Sequence, residues 1–254
     1  MSNLFFLVSG EHPSLPLSEL KAILEAEEYE YQVLEKLSQV LRLAVDVNSA
    51  KSIEFRSALT RVCSVELLSC AADAEEISSA VRSVSLDKFV HENESFAVRI
   101  RRVGENIHSL SSAELERKLG KLILNKAKRS KVDLVNPDKT FFGILTDNKF
   151  LFGLKIAEIS PKVFVQRGPR QKPFFHPSAM PPKLARCMVN LAKPKTGDLV
   201  LDPFCGTASM LVEAGLMGCR TVGLDVKRSM VEGGLRNLRH YNLQSEGMIV
   251  ADAS

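Results

Sequence analysis

Asp198-Leu-Val-Leu-Asp-Pro-Phe-Cys-Gly-Thr207 decides the fold class of this 254-residue chain. Asp198-Leu-Val-Leu201 is a short apolar run that reads as a buried strand. The turn after it ends where helical spacing begins, with Met210, Leu211, Ala214 and Met217 on one face. A glycine turn after the first strand of an α/β unit brings bare backbone N–H groups close to a ligand, and Gly206 has no side chain to stand in the way. Nineteen residues past Gly206, the apolar run Thr221-Val-Gly-Leu224 ends in Asp225. An acid about 20 positions beyond such a loop is placed to take both hydroxyls of a ribose. A third run, Met248-Ile-Val250, is followed by Asp252. Three strands with acids at their carboxyl ends predict a doubly wound α/β sheet that binds an adenosine-containing ligand.

Three strands are few for such a sheet, because sheets average about five to six and an open edge leaves the core half covered. The expectation is therefore that these residues belong to a longer chain whose last domain continues. Completion of a minimal sheet by a partner chain is the alternative.

The composition is that of a water-soluble globular protein of about two domains, at 45% hydrophobic and 25% charged residues. No apolar run of about 18 residues is present, so no membrane span is expected. Met1-Ser-Asn-Leu-Phe-Phe-Leu-Val8 reads as a strand rather than a signal peptide. The five cysteines form no C-x-x-C pair and the five histidines no cluster, which predicts a reduced cytoplasmic protein with neither disulfides nor a metal site. The net charge of +4 hides a segregation. Residues 1–75 hold six Lys/Arg against twelve Asp/Glu, residues 99–131 hold ten against three, and residues 159–197 hold eight against none. Basic charge concentrated in mid-chain predicts a polyanion partner, and nucleic acid suits it best.

Four segments are expected. Residues 1–72 read β-α-β-β-α-β: Leu4–Val8, a helix carrying Leu17, Leu20, Ile23 and Leu24, paired strands at Tyr29–Leu34 and Val40–Val45, a short helix at Ile53–Leu59, and Val62–Leu68. This is the ferredoxin-like order. Glu19 is read as a first-turn acid that complements the helix dipole. Residues 73–160 form a second unit with a helix over Ala74–Val84, a strand Phe96–Ile100 and a helix opened by the capping box Ser111-Ser-Ala-Glu114. Strands Thr140–Thr146 and Lys149–Ile156 follow, joined by a tight Asp147-Asn148 turn. Residues 161–175 read as a basic linker, and the Pro/Gly-rich run from Gln166 to Pro177 as extended. Pro181-Pro182 then opens a helix in which Leu184, Met188 and Leu191 share a face, and residues 176–254 carry the doubly wound half-domain.

Ser95-Phe-Ala-Val-Arg-Ile-Arg-Arg-Val-Gly104, Ser112-Ala-Glu-Leu-Glu-Arg-Lys-Leu-Gly120 and Val132-Asp-Leu-Val-Asn-Pro-Asp138 resemble a THUMP domain, an RNA-binding module of tRNA-modifying enzymes. The resemblance implies a grip on the acceptor end of tRNA and makes Arg99, Arg101, Arg102, Lys126, Lys128, Arg129 and Lys131 candidate phosphate contacts. The basic segment adds Arg167, Arg170 and Lys172.

Arg170-Gln-Lys-Pro-Phe-Phe-His-Pro177, Leu184-Ala-Arg186, Leu201–Thr207 and Glu213-Ala-Gly215 resemble an S-adenosylmethionine-dependent RNA methyltransferase with a Rossmann-like catalytic domain. The best match is the archaeal-type THUMP tRNA guanosine-N2 methyltransferases that modify the tenth nucleotide. The resemblance implies that Asp202, Pro203, Phe204, Cys205, Gly206 and Thr207 curl around the methionine part of the cofactor, and that Asp225 holds the ribose. It also places Val226 on the adenine and Asp252 with Ala253 at the adenine amine. His176 and Pro177 are expected near the cofactor or in its packing. Some members of the family work with a small zinc-binding activator subunit, which makes such a subunit a candidate partner.

Where the family has a second loop glycine, this chain has Ala208, which disfavours a left-handed backbone. The family's Asp/Asn-Pro-Pro-aromatic motif, which polarises the guanine amine and stacks the base, does not occur in these 254 residues. No catalytic residue is therefore assigned, and the 254 residues alone are expected to be inactive. Cys205 reads as a packing residue and Asp202 as a brace of the loop. A ribosomal RNA methyltransferase and a non-catalytic tRNA-binding protein are the alternative readings.

Overall fold

Leu4, Phe5 and Phe6 are each fully buried, so Ser2–Val8 (β1) is covered on both faces, as an unbroken apolar run predicts for an interior strand. The computed structural model describes residues 1–104, 111–127 and 129–253. These fall into two units. Unit 1 comprises Met1–Gly10, Tyr31–Ala50 and Val62–Glu158; unit 2 comprises Glu11–Glu30, Lys51–Arg61 and Ile159–Ser254.

In unit 1, β1 pairs antiparallel with Val40–Val45 (β3), which in turn pairs with Tyr31–Leu37 (β2). Thr60–Ala71 (β4) completes the ferredoxin-like order β2-β3-β1-β4. At twelve residues β4 is longer than expected, and it continues into antiparallel pairing with Lys149–Glu158 (β8). Ser95–Arg102 (β5), Lys131–Val132 (β6) and Lys139–Thr146 (β7) extend the sheet, so one eight-stranded sheet runs across the boundary expected at residues 72 and 73. The β7–β8 hairpin turns at Asp147-Asn148, both with positive φ, as a two-residue turn of this handedness requires. Gly153 on β8 lies so close to β4 that a Cβ there would sit 2.0 Å from the Val65 carbonyl oxygen.

Ala74–Ser83 (α3) and Ser112–Lys126 (α4) pack on this sheet around Phe96, Phe141, Phe150 and Phe152. Phe141 stacks on Phe152 at 5.7 Å, and Phe96 meets Phe141 edge-on at 6.0 Å, geometries worth about 0.5–1.5 kcal/mol each beyond burial. Both helices are capped by a side chain, and the Ser111 cap is the one expected from the sequence. Asp73 accepts from the Glu75 and Glu76 amides, and Ser111 Oγ accepts from the Glu114 amide.

In unit 2, Leu15–Ala26 (α1) packs against Pro182–Leu191 (α6). Ser49–Arg56 (α2) begins earlier than expected. Glu19 is not a surface acid serving the helix dipole. It is fully buried and accepts from Ser57 Oγ, the Ala58 and Leu59 amides and Asn190 Nδ2, all within 2.9 Å. Four donors satisfy a carboxylate that burial would otherwise penalise heavily. The face of α6 is also corrected. Leu184 and Met188 are largely exposed, while Arg186 and Asn190 point inward to carboxylate partners.

The remaining elements of unit 2 are Lys162–Val165 (α5), Leu199–Asp202 (β9), Ser209–Leu216 (α7), Arg220–Asp225 (β10), Arg228–His240 (α8) and Gly247–Val250 (β11). The three strands are parallel in the order β11-β10-β9, with α7 and α8 as crossovers. Among the described residues no helix is long and apolar enough to cross a membrane.

Candidate cofactor pocket and nucleic-acid surface

Pro203 to Ala208 connect the carboxyl end of β9 to α7, where the switch from strand to helix leaves backbone N–H groups without helical partners. Gly206 has φ +49°, and a Cβ built there meets nothing within 4 Å. Its bareness therefore leaves space beside the loop rather than making room for a neighbour. The Gly206 amide donates to Asp225 Oδ2 at 3.0 Å, and the Lys227 amide donates to Asp225 Oδ1 at 2.9 Å. Asp225 is thus fixed at the end of β10 with lone pairs to spare for a further donor.

The cavity at these strand ends has a volume of about 340 Å³. Of the residues expected to bind the cofactor, Asp202, Phe204, Cys205, Gly206, Thr207 and Asp225 line it, and so does His176. Pro203 does not line it; Val226 is exposed beside Asp225, and Asp252 and Ala253 are exposed after β11. The sequence reading missed Ser178, Met180, Ser209, Met210, Lys227 and Met230. Of these, Lys227 could have been found from its place two residues beyond Asp225.

Asp202 braces the loop by accepting from the Phe204 amide at 3.1 Å. Burial raises its carboxyl above the usual range against that hydrogen bond, and the charge of Asp225 adds to the rise. Burial, followed by the charges of Asp202 and Asp225, pushes the Cys205 thiol up to about 12. A thiol so far from ionising is a packing group, and Cys205 sits in the apolar cluster with Leu211, Val212 and Leu238. Ala208, fully buried, adopts φ +60° and ψ 31°, the left-handed conformation that an alanine disfavours.

The basic segment at residues 161–175 is not extended throughout. A helical turn, α5, and a 3-10 turn at Pro169–Gln171 interrupt it. Farther on, Phe174 is strapped to α8: its amide donates to Asn237 Oδ1 at 2.9 Å, and its ring covers Gly233, where a Cβ would come within 2.1 Å. Arg167 donates to both oxygens of buried Glu213 at 2.9 and 3.1 Å, and Arg186 donates to the same carboxylate at 2.9 Å. Lys172 is buried with its Nζ on Ser209 Oγ at 3.2 Å, and desolvation lowers its pKa. Arg167 and Lys172 therefore support the pocket from behind, in place of the RNA contacts expected of them. Arg170 is exposed.

In unit 1 the expected phosphate contacts divide. Arg101, Arg102 and Lys131 are exposed, and exposed Arg129 pairs with Glu92 at 3.0 Å. Arg99 turns to the Leu134 carbonyl at 2.5 Å, and Lys126 Nζ closes the end of α3 by donating to the carbonyls of Arg82 and Val84. Lys128 lies outside the described residues. Among the described residues no group of three His, Cys, Asp or Glu comes together as a metal site.

Comparison with known proteins decides the family. Residues 71–155 match the THUMP domain, and residues 169–253 match the RMKL-like methyltransferase domain. The chain is 40% identical over 247 residues to a tRNA (guanine(10)-N2)-dimethyltransferase of Methanothermobacter thermautotrophicus, covering 97% of this chain and 71% of the relative. It is 33% identical to the protein of the same name from Methanocaldococcus jannaschii, covering 94% and 71%. The chain belongs to the tRNA (guanine(10)-N2)-dimethyltransferase family. Among solved structures, TrmN from Thermus thermophilus aligns over 99% of this chain and 74% of its own, at 20% identity and a TM-score of 0.59. The putative methyltransferase SMU.472, complexed with SAH, aligns over 100% and 77% at 15% identity and the same TM-score. At these identities both likenesses show the fold.

Proposed function

We propose that this protein binds S-adenosyl-L-methionine at the β9–α7 loop and serves the methylation of the N2 amine of a tRNA guanosine, at the tenth position. The observation that carries the reading is the Asp225 carboxylate, held by the Gly206 and Lys227 amides at the rim of a cavity that the β9–α7 loop lines. That donor and acceptor set fits the cofactor. A carboxylate at a strand end suits a ribose diol, and exposed Val226 and Phe204 offer apolar surface to a purine and the methionine chain. Asp202 to Thr207 would face the methionine end, and Asp252 and Ala253 the adenine amine.

The cofactor supplies a methyl group on a sulfonium, an already activated leaving group. The protein's part is therefore mainly alignment of donor and acceptor. Glu213, Arg167, Arg186 and Lys172 hold α7 and its preceding loop rigid, which fixes where that methyl group would stand. Arg101, Arg102, Arg129 and Lys131 of the THUMP unit would hold the tRNA through its phosphates, without reading sequence.

The test is nucleoside mass spectrometry of tRNA from cells with the gene deleted, paired with calorimetric titration of the protein with S-adenosyl-L-methionine. Loss of N2-methylated guanosine at position 10, together with cofactor binding, is the expected result. Unchanged methylation at that position, or absence of cofactor binding, overturns the reading.

A further inference from the structure

Outside residues 226–244, eight of the thirteen Lys and Arg of unit 2 have carboxylate partners among the described residues, Arg61 with Glu11 among them. Lys193 pairs with Glu25, Lys195 with Glu28, Lys183 with Glu11, Arg220 with Glu246, Arg56 with Glu27, and Arg167 and Arg186 with Glu213. The start and outer face of α8 break that pattern. From Val226 to Gln244 the chain carries Lys227, Arg228, Arg236 and Arg239 against one acid, Glu232. All five are exposed. Among the described residues none of the four cations has an acidic partner, although Glu232 lies four residues from both Arg228 and Arg236.

The placement is ordered. At about 100° per residue, Arg228, Arg239 and Arg236 fall within about 80° of one another, opposite the buried face that carries Asn237 and Leu238. At about 1.5 Å per residue the stripe from Arg228 to Arg239 is about 16 Å long. It starts at the cofactor cavity, because Lys227 lines that cavity beside Asp225. Three of the four cations are arginines, whose planar forks match phosphate oxygens and are the less hydrated choice for an interface. A merely solvated face at this position would gain from the i,i+4 pairs that Glu232 could make.

We propose that the outer face of α8 is a phosphate-binding stripe that guides the RNA substrate to the cofactor cavity. The inference rests on the RNA methyltransferase reading above. It adds to the THUMP contacts a second grip, on the unit that holds the cofactor.

The test compares wild type with Arg228→Gln/Arg236→Gln/Arg239→Gln in filter binding of a tRNA transcript over a series of KCl concentrations. Arg101→Gln/Lys131→Gln on the THUMP unit serves as a second comparison, and calorimetry with S-adenosyl-L-methionine reports that α8 still builds the cavity. Each lost phosphate contact flattens the log–log salt slope by about 0.7–0.9, so the α8 variant is expected to be shallower by about 2–3 with cofactor affinity unchanged. A wild-type slope in the α8 variant overturns the stripe; if the THUMP variant then flattens, the tRNA reading survives. A wild-type protein that binds no tRNA sinks both. An unchanged tRNA slope with lost adsorption to phosphatidylglycerol vesicles would assign the face to a membrane and also overturn the proposal.

Discussion

The Asn237 side chain donates to the Thr207 carbonyl at 3.0 Å and so ties α8 to the loop that forms the cavity. The same Nδ2 donates to the Phe174 carbonyl at 3.0 Å, while Oδ1 accepts from the Phe174 amide at 2.9 Å. One fully buried amide therefore satisfies three backbone groups on two other segments. Asn237→Ala leaves all three without partners. At about 1 kcal/mol per hydrogen bond, plus desolvation of the orphans, it should cost about 3–5 kcal/mol in urea unfolding. Cofactor affinity should fall with it. Asn237→Asp keeps the acceptor but loses both donors and should also unfold early, whereas normal stability in either variant would refute the staple.

Asp225 is expected to matter for binding far more than for folding. Its half-buried carboxylate accepts from two amides, Gly206 in the loop and Lys227 just before α8, so Asp225→Ala should cost stability only about 1–2 kcal/mol. Hydrogen bonds from ribose hydroxyls to a charged acceptor are worth about 1.5–3 kcal/mol, so affinity for S-adenosyl-L-methionine should fall about 10- to 100-fold. Equal calorimetric affinities for wild type and variant would remove Asp225 from the site.

The strand–turn–helix run at Asp198–Thr207 and the acid at Asp225 were legible because local chemistry dictates them. An apolar run, a glycine turn and an acid at the end of the next strand carry their meaning within thirty residues. The alanine at position 208 was legible as a misfit for the same reason, and the structure holds it at φ +60°. What sequence could not disclose was pairing at a distance. Arg167 and Lys172 look like an open basic segment until Glu213, 46 residues from Arg167, and Ser209 arrive through the fold. Arg186 and Asn190 look like the polar face of α6, yet they are buried because Glu213 and Glu19 accept from them. Asn237 sits in no recognisable pattern, since its three partners are backbone groups.

Two glycines should respond oppositely to alanine. Gly153→Ala puts a Cβ 2.0 Å from the Val65 carbonyl oxygen, a backbone atom at the β4–β8 irregularity that cannot swing aside. It should cost at least about 3 kcal/mol of stability or abolish folding. At Gly206 a Cβ meets nothing, so Gly206→Ala should cost only the left-handed penalty of about 1–2 kcal/mol. Its larger effect should appear in calorimetry, as a methyl group standing where the cofactor approaches.

Two thiols should make the fold alkali-sensitive. Burial, then the Glu19 charge, pushes Cys187 up to about 12, matching Cys205. An unfolded thiol ionises near about 8.5, so between that pH and about 12 the folded state holds protons that the unfolded state releases. Stability is therefore fully present below about pH 8.5 and falls as pH rises, by up to about 1.4 kcal/mol per unit for each thiol. Urea midpoints measured from neutral to alkaline pH should show this decline, and Cys187→Ala/Cys205→Ala should flatten it. An equal decline in the double variant would place the alkaline loss elsewhere.

Ala208 offers the sharpest test of whether the loop is strained. Its left-handed backbone costs about 1–2 kcal/mol that glycine would not incur, while its buried methyl returns about 0.8 kcal/mol of packing. Ala208→Gly should therefore leave stability level or raise it by up to about 1 kcal/mol. Ala208→Val should lower it by at least about 2 kcal/mol, because a β-branched side chain fits a positive φ worst and the Gly234 backbone faces the existing methyl group. The order glycine at or above alanine, with valine far below, is the signature to seek in thermal unfolding. If glycine were the less stable by more than about 1 kcal/mol, methyl packing would outweigh strain, and the loop would be held by its core rather than in spite of it.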